Sequence, residues 1–212
     1  MDKFIDRREA GIALAKHLNE YANLPQVIVL ALPRGGVPVA YEIAQTLSVP
    51  LDIFIVRKLG VPGHEELAMG AIASGDTVIF NRLLLNQLHI EQASIDAVLQ
   101  AEQEELIRRE HLYRGNRAFP VLTGKTIILV DDGIATGATM QAAVASLRKH
   151  KPASIIIAVP VAARETCEKM AKSVDRLICP LQPLHFYAVG LWYENFSQVS
   201  DKEVIELLEK SN

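Results

Sequence analysis

The chain has 212 residues; half of them are hydrophobic, 22% are charged, and the formal net charge is −3. This length and composition suit one globular domain with a full hydrophobic core. The small negative charge argues against nucleic acid as a partner, and no apolar run approaches the roughly 20 residues that span a bilayer. Because the amphipathic start MDKFIDRREAGIALAKHL lacks the apolar core of a signal peptide, we expect a cytoplasmic protein with no membrane partner.

The first predicted element is a helix close to the start of the sequence. Asp6 and Glu9 have the spacing of a capping box, in which each residue satisfies a free amide of the first turn. Ile12, Ala15 and Leu18 are predicted to form the apolar face of this helix.

Short apolar runs, most of them rich in β-branched residues, then predict strands that are buried on both faces. Segments with the apolar spacing of an α-helix separate these strands. The clearest of these segments places Met140, Ala143, Val144 and Leu147 on one face. Strands that alternate with helices indicate an α/β fold with a doubly wound, mostly parallel sheet, here as a single domain over residues 1–212. The predicted strands are 27–32, 51–56, 126–130, 154–159 and 175–179.

Three segments lie outside this alternation. Residues 57–81 contain several glycines and are predicted to be a lid-like loop leading into short strands, although ELAMG (66–70) is apolar enough to pack instead. Residues 88–114 form a predicted helical insertion with a solvated face, which could roof a site or make a dimer contact. The C-terminal segment, 177–212, is predicted to end in a short helix capped by Asp201.

Two cysteines and two short motifs resemble known sites only in part. Cys167 and Cys179 form neither a C-x-x-C pair nor a zinc-binding spacing, so we expect both to be buried apolar residues. The GKT at 124–126 is not a Walker A loop, because Phe119 stands where the first glycine is needed. The HEELA sequence that begins at His64 lacks the second histidine of a zinc-binding H-E-x-x-H motif.

Polar sequences follow three of the predicted strands. In sheets of this kind, ligands bind beyond the carboxyl ends of the strands. PRGG (33–36) follows the first strand, RK (57–58) the second, and DDGIATGAT (131–139) the third. Arg164, just after the fourth strand, lies at the same edge but has no assigned role.

The third of these sequences has the chemistry of a sugar phosphate site. Its small residues run into a predicted helix, so free backbone amides and the positive end of the helix can hold a phosphate. Thr136 and Thr139 add hydroxyl donors, and Gly137 allows a close approach of the backbone. Asp131 and Asp132 would repel a phosphate but can accept hydrogen bonds from the hydroxyls of a ribose. The combination predicts a ribose 5-phosphate site; a simple strand-to-loop boundary is the alternative.

IILVDDGIATGAT (127–139) resembles the signature of the type I phosphoribosyltransferases, which bind 5-phosphoribosyl-1-pyrophosphate (PRPP). LPRGG (32–36) resembles the pyrophosphate loop of that family, and the inferred strands fit its core. VRKLGVPGHEELAMGAIA and FYAVGLWYENF resemble a bacterial group of phosphoribosyltransferases whose acceptor is not assigned. The resemblance implies an enzyme of nucleotide metabolism or nucleoside salvage, with a small hood-like segment toward the C-terminus on the acceptor side.

The resemblance also implies roles for individual residues. Asp131 and Asp132 would be catalytic, holding the ribose hydroxyls and facing the charge that develops on the ring. Mg²⁺ would bridge the pyrophosphate and the ribose, without a certain protein ligand. PRPP and a small nitrogenous acceptor are the expected partners, and a homodimer the expected assembly. The implied PRPP-binding residues are Asp131, Asp132, Gly133, Ala135, Thr136, Gly137, Ala138 and Thr139, and the implied pyrophosphate-binding residues are Arg34, Gly35, Gly36, Arg57 and Lys58.

The acceptor is less well defined by the resemblance. Ala135 stands where some relatives have an acid that serves the base, and the resulting ATG resembles adenine-type enzymes. The sequence FYAVGLWYENF instead resembles hypoxanthine–guanine enzymes, with Tyr187 stacking on the base, Glu194 contacting it, and Trp192 or Phe186 as neighbouring candidates. These aromatic residues can equally belong to the core. The two clues point to different bases.

A regulatory protein is the alternative function. A PRPP- or nucleotide-sensing protein could keep the binding site and lose turnover, which the missing acid at position 135 allows. The intact PRGG sequence and the lack of a basic surface favour the enzyme.

Overall fold

A five-stranded parallel sheet lies at the centre of the protein, in a computed structural model that describes residues 3–211. Its strand order is β2-β1-β6-β7-β8, and every pair of neighbours is parallel. The strands are β1 (Val27–Ala31), β2 (Leu51–Ile53), β3 (Val56–Val61), β4 (His64–Ala73), β5 (Thr77–Phe80), β6 (Thr126–Val130), β7 (Ser154–Ala158) and β8 (Arg176–Ile178). The helices are α1 (Arg7–Ala15), α2 (Gly36–Leu47), α3 (Arg82–Leu88), α4 (Gln92–Arg114), α5 (Ala138–Lys149), α6 (Arg164–Ala171) and α7 (Asp201–Lys210).

The two faces of the central sheet carry separate hydrophobic clusters. Alternate residues of β1 enter opposite clusters, with Val27 and Val29 on one face and Ile28 and Leu30 on the other. Helices α1, α2, α4 and α7 cover the first face, while α5 and α6 cover the second. The predicted doubly wound α/β fold is therefore confirmed. Cys167 and Cys179 are both buried, as predicted.

The first helix begins as predicted and buries part of the predicted face. Asp6 accepts a hydrogen bond from the backbone amide of Glu9 at 2.8 Å, which confirms the cap. Of the predicted apolar residues, Ala15 and Leu18 are buried, although Leu18 lies beyond the end of the helix, whereas Ile12 is 40% exposed. Gly11 also faces the core side, because a Cβ there would lie 2.5 Å from the carbonyl oxygen of Val39 in α2.

Residues 57–81 contain the predicted short strands, and Met69 of ELAMG packs in the core, but most of the predicted loop is itself strand. Strands β3, β4 and β5 form a three-stranded antiparallel sheet, which we call the flap. Leu59, Met69 and Ile72 are buried and join the hydrophobic cluster of the first face. The glycines with positive φ, Gly63 and Gly75, lie in the turns of the flap. They therefore do not interrupt its strands. Its action as a lid stays a prediction.

The predicted helical insertion corresponds mainly to α4, a helix of 23 residues. Its buried residues Ile95, Leu106 and Tyr113 face the core, and the helix contacts both the flap and α7. The cap of α7 is Ser200, whose hydroxyl accepts from the amide of Glu203, so the predicted cap at Asp201 is one residue late. Among the helices of residues 3–211, none is both long and apolar enough to cross a membrane.

Candidate functional site

The loops after β1 and β6 lie side by side because these two strands are neighbours in the sheet. The amide of Leu32 donates to the carbonyl of Val130 at 2.9 Å, which joins the two loops at their base. A Cβ on Gly35 would lie 2.0 Å from Oδ2 of Asp132, and one on Gly36 would lie 2.7 Å from the carbonyl oxygen of Val130. Glycine is therefore required at both positions for the two loops to approach this closely.

A cavity of about 120 Å³ lies in the loop between β6 and α5. Gly137 caps α5 at φ +81°, and no side chain among residues 3–211 caps the free amides of the first turn of this helix. Thr136 and Thr139 are exposed beside these amides. Free amides, hydroxyl donors and the positive end of a helix together form a site for an anion such as a phosphate monoester. The cavity is lined by Asp131, Gly133, Ile134, Ala135, Thr136, Gly137, Ala138, Thr139 and Met140.

The two aspartates occupy different environments. Asp131 lines the cavity, and its Oδ1 accepts the backbone amide of Asp132 at 2.8 Å. Burial raises the pKa of Asp131 well above the usual range of an aspartate, and the carboxylate of Asp132 adds to this rise. Burial also raises the pKa of Asp132, but the guanidinium of Arg7 opposes the rise. One carboxylate therefore faces the cavity, while the other has a counterion from α1.

Arg7 is a site residue that the sequence analysis missed. Its Nε donates to Oδ2 of Asp132 at 2.8 Å, and the side chains are only 11% and 14% exposed. Its Nη1 donates to the carbonyl of Ser197 at 2.7 Å, and its guanidinium lies 3.9 Å from the centre of the Phe196 ring. A cation in the first turn of a helix is unfavourable to the helix dipole, and this anomaly was the available signal in the sequence.

The segment between β8 and α7, residues 179–200, packs over the loop after β6; we call it the hood. The hydroxyl of Tyr193 donates to the carbonyl of Asp132 at 2.5 Å. A Cβ on Gly133 would lie 2.5 Å from Val189, so the hood and the loop are in close contact. Burial raises the pKa of Tyr193, which keeps its hydroxyl protonated and able to donate. Tyr193, like Arg7, was not among the predicted site residues.

The two strand-end loops and the hood lie within or next to a segment that matches a known protein family. The sequence model of the "Phosphoribosyl transferase domain" matches residues 6–191. The chain belongs to the phosphoribosyl transferase family. The matched range includes both strand-end loops, the flap and α4, and most of the hood.

Several relatives of this chain are known. It is 42% identical over 212 residues to two Mycobacterium tuberculosis proteins, from strains CDC 1551 and H37Rv, each named "Putative phosphoribosyl transferase". The alignment covers all of this chain but 48% of each relative, so the chain spans about half their length. The crystal structure of the protein TT1426 from Thermus thermophilus has a TM-score of 0.87 and 36% identity, and 99% of each chain is covered.

The predicted pyrophosphate-binding residues are only partly brought together. Arg34 lies in the loop after β1, next to the two glycines that approach the aspartate pair, and its Nη1 lies 3.6 Å from Oδ1 of Asp201. Arg57 pairs with Glu102 of α4 at 2.6 Å, and Lys58 lies 3.7 Å from Glu66 of the flap. Among residues 3–211, no hydrogen bond or ion pair joins Arg57 or Lys58 to the loops after β1 and β6, because acids of α4 and the flap engage them instead.

The predicted acceptor residues are not assembled into a stacking platform. Tyr187 is 83% exposed, and Glu194 is exposed as well. Trp192 and Phe186 pack against the small hydrophobic cluster beneath the hood. Arg164 begins α6 with an exposed side chain; from the same helix, Thr166 donates to the carbonyl of Ala135 at 3.2 Å.

The donor set for a metal is limited to the aspartate pair. In the part of the chain that the structure describes, no group of three or more histidine, cysteine, aspartate or glutamate side chains could hold an ion. Two carboxylates suit Mg²⁺, which keeps several waters and takes its other ligands from a phosphorylated substrate. The residues present therefore fit a magnesium ion that binds together with its substrate.

Proposed function

We propose that this phosphoribosyl transferase transfers the 5-phosphoribosyl group of PRPP to a small nitrogenous base and releases pyrophosphate. One observation carries the proposal: a free helix N-terminus with two threonine hydroxyls lies beside a pair of partly buried aspartates, across from the PRGG loop. The helix N-terminus is a site for the 5′-phosphate, the aspartates can accept hydrogen bonds from the ribose hydroxyls, and the PRGG loop is a second anion site for the pyrophosphate. These three features correspond to the three parts of PRPP. The chain's membership of the family supports the same function.

The binding of PRPP follows from this arrangement. The 5′-phosphate binds at the amides of 137–139 and the hydroxyls of Thr136 and Thr139, where α5 provides its positive end. Asp131 and Asp132 accept the ribose hydroxyls at the edge of the cavity. The pyrophosphate binds at Gly35 and Gly36 of the PRGG loop, with Arg34 donating two hydrogen bonds in a fork.

The reaction is a displacement at the anomeric carbon. As the bond to pyrophosphate breaks, positive charge develops on the ribose ring and negative charge on the leaving group. The carboxylate of Asp131, buried beside the ring, stabilises the first charge, and Arg34 stabilises the second. No covalent intermediate with the protein is required, because the residues act by positioning and charge.

Magnesium belongs to the proposal as a companion of PRPP. Asp131 and Asp132 are the residues that would hold the ion, directly or through water. The ion supplies charge neutralisation at the pyrophosphate. The proposal also includes a homodimer, a role in nucleoside salvage and a cytoplasmic location.

The test is a pyrophosphate-release assay with PRPP, Mg²⁺ and a panel of purines, pyrimidines and other small nitrogen heterocycles. Thr136→Val removes a hydroxyl from the phosphate and should raise the KM for PRPP about tenfold, the effect of one hydrogen bond to a charged group. Thr123→Val is the matched control, because Thr123 is exposed and donates to the carbonyl of His150, away from the site. Absence of both PRPP binding and pyrophosphate release in the wild type would refute the proposal.

A sensor is the second candidate, favoured by one observation. Tyr187 and Glu194, predicted to contact the acceptor, are both exposed to solvent. A PRPP-sensing protein needs the loops after β1 and β6 but not an acceptor pocket. Calorimetry separates the two functions: tight PRPP binding with no turnover on any acceptor would favour the sensor.

A further inference from the structure

We infer that Arg7 is a positioning residue for the ribose: it holds the carboxylate of Asp132 in the orientation that accepts a sugar hydroxyl. The inference rests on the proposed function, because it concerns the sugar that the cavity binds. Arg7 touches neither the cavity nor the PRGG loop in any described contact, so it acts through Asp132.

The guanidinium of Arg7 is held on three sides. Its Nε donates to Oδ2 of Asp132 at 2.8 Å, and its Nη1 donates to the carbonyl of Ser197 at 2.7 Å. Its flat face lies 3.9 Å from the centre of the Phe196 ring, so its plane is also restrained. A planar donor with this many restraints fixes the direction of the carboxylate that it binds.

The hood provides the frame for this arrangement. The amide of Phe4 donates to the carbonyl of Trp192 at 2.9 Å, and the amide of Glu194 donates to the carbonyl of Phe4 at 2.8 Å. These bonds tie the segment before α1 to the hood, which carries Phe196 and Ser197. The hydroxyl of Tyr193 donates to the carbonyl of Asp132 at 2.5 Å, so the hood holds the aspartate through its main chain as well.

Among residues 3–211, the Asp132 carboxylate has two side-chain partners. Arg7 occupies Oδ2, and the neighbouring carboxyl of Asp131 is the second partner, whose place a sugar hydroxyl would take. A carboxylate held by one oxygen presents the other in a fixed direction, which suits one sugar hydroxyl. Without Arg7, Asp132 would lose its counterion next to the buried Asp131, and its side chain would be free to turn away.

This geometry predicts which ligands lose affinity when Arg7 is removed. The 5′-phosphate binds at the far side of the cavity, at the amides of α5, so its contribution should be unchanged. The contribution of one ring hydroxyl should be lost. A hydrogen bond between a hydroxyl and a carboxylate corresponds to about a tenfold difference in affinity.

The experiment is calorimetric titration of ribose 5-phosphate and of its analogues that lack the 2- or the 3-hydroxyl. We expect the wild type to prefer ribose 5-phosphate to at least one deoxy analogue by about tenfold. Arg7→Ala should bind ribose 5-phosphate and that analogue about equally. A merely structural role of Arg7 would weaken all ligands alike and leave the preference unchanged.

Arg8→Ala is the matched control, since Arg8 is the next residue of α1, has a 74% exposed side chain and pairs with Glu42. It should keep the wild-type preference. Arg7→Lys keeps the charge but not the planar fork, and we expect it to show a reduced preference. It also provides the test if Arg7→Ala does not fold, which circular dichroism and thermal unfolding would reveal.

The outcomes separate the inference from the proposed function. Failure of the wild type to bind any of the sugar phosphates would refute the proposed function and the inference with it. Binding without a preference for a hydroxyl, or a preference retained in Arg7→Ala or in a folded Arg7→Lys, would refute the role of Arg7 alone.

Discussion

The two adjacent aspartates of the site differ in a way that their sequence does not show. Asp131 is buried against a second carboxylate, whereas Asp132 has Arg7 as a partner at 2.8 Å. Active sites often contain a carboxylate that is shielded from water and has no counterion. Its charge serves the reaction but lowers the stability of the fold.

Asp131→Asn should therefore stabilise the protein and abolish turnover. The amide oxygen can still accept the backbone amide of Asp132, and the repulsion between carboxylates is removed. We expect an increase of about 1–2 kcal/mol in the free energy of unfolding, or roughly 2–8 °C in Tm. Asp132→Asn is the matched comparison: it leaves the guanidinium of Arg7 without its partner, and should lower the stability. Calorimetry that ranks the two variants in the reverse order would contradict this account.

The start of α7 is placed to influence the PRGG loop. Asp201 accepts a hydrogen bond from the hydroxyl of Tyr113 in α4 at 2.5 Å, and lies 3.6 Å from Arg34. Burial, followed by the bond to Asp201, raises the pKa of Tyr113 to about 12, so its hydroxyl stays a donor. In the proposed function, Asp201 competes with pyrophosphate for Arg34.

Asp201→Asn should consequently increase the affinity for pyrophosphate. The asparagine still accepts from Tyr113, but the competing charge is gone. Because the pair is half exposed, it contributes up to about 1 kcal/mol, which limits the gain to about fivefold. Arg34→Ala should reduce the affinity. Glu203→Gln, in the same turn of α7 with the same change of charge, should leave it unchanged; an equal gain there would indicate a general charge effect. Isothermal titration with pyrophosphate measures all three.

Asp175, just before β8, makes a contribution to stability that depends on pH. Asp175 accepts the amide of Ile155 at 2.7 Å and pairs with Arg148 at 3.0 Å. The hydrogen bond from Ile155, assisted by Arg148, lowers the pKa of Asp175. An acid with a lowered pKa in the folded state stabilises the fold above its unfolded pKa, about 4, and this contribution is lost as the pH falls.

We therefore expect Asp175→Asn to destabilise the protein at pH 7 by about 1 kcal/mol, the usual effect of a half-exposed, hydrogen-bonded ion pair. The difference from the wild type should shrink as the pH falls below about 4, where the wild-type carboxyl becomes protonated. Urea unfolding at a series of pH values measures this difference. Glu209→Gln, at an exposed position of α7, should show no such trend. A difference that stays constant from neutral pH down to about pH 3 would argue against the ion pair.

At the scale of the whole molecule, the sequence predicted the features that depend on neighbouring residues, and missed those that depend on contacts between distant residues. The strands of the central sheet are continuous apolar runs, and small residues follow β6, so both the strands and this loop were predictable from the sequence. The flap was predicted only in part, as a loop leading into short strands, because its glycines suggested a loop and the pairing of β3 with β4 cannot be read from local sequence. Arg7 contacts Asp132 across 125 residues of sequence, and no local pattern reports such a contact.

The strand order also has a consequence for how the protein folds. Val27 of β1 pairs with Thr126 of β6, so about a hundred residues must be enclosed before these strands meet. Closing so long a stretch of chain is slow, whereas the hairpins of the flap join residues that are close in sequence. We expect the flap to form early and the groove between β1 and β6, where the ligand would bind, to be completed among the last steps of folding.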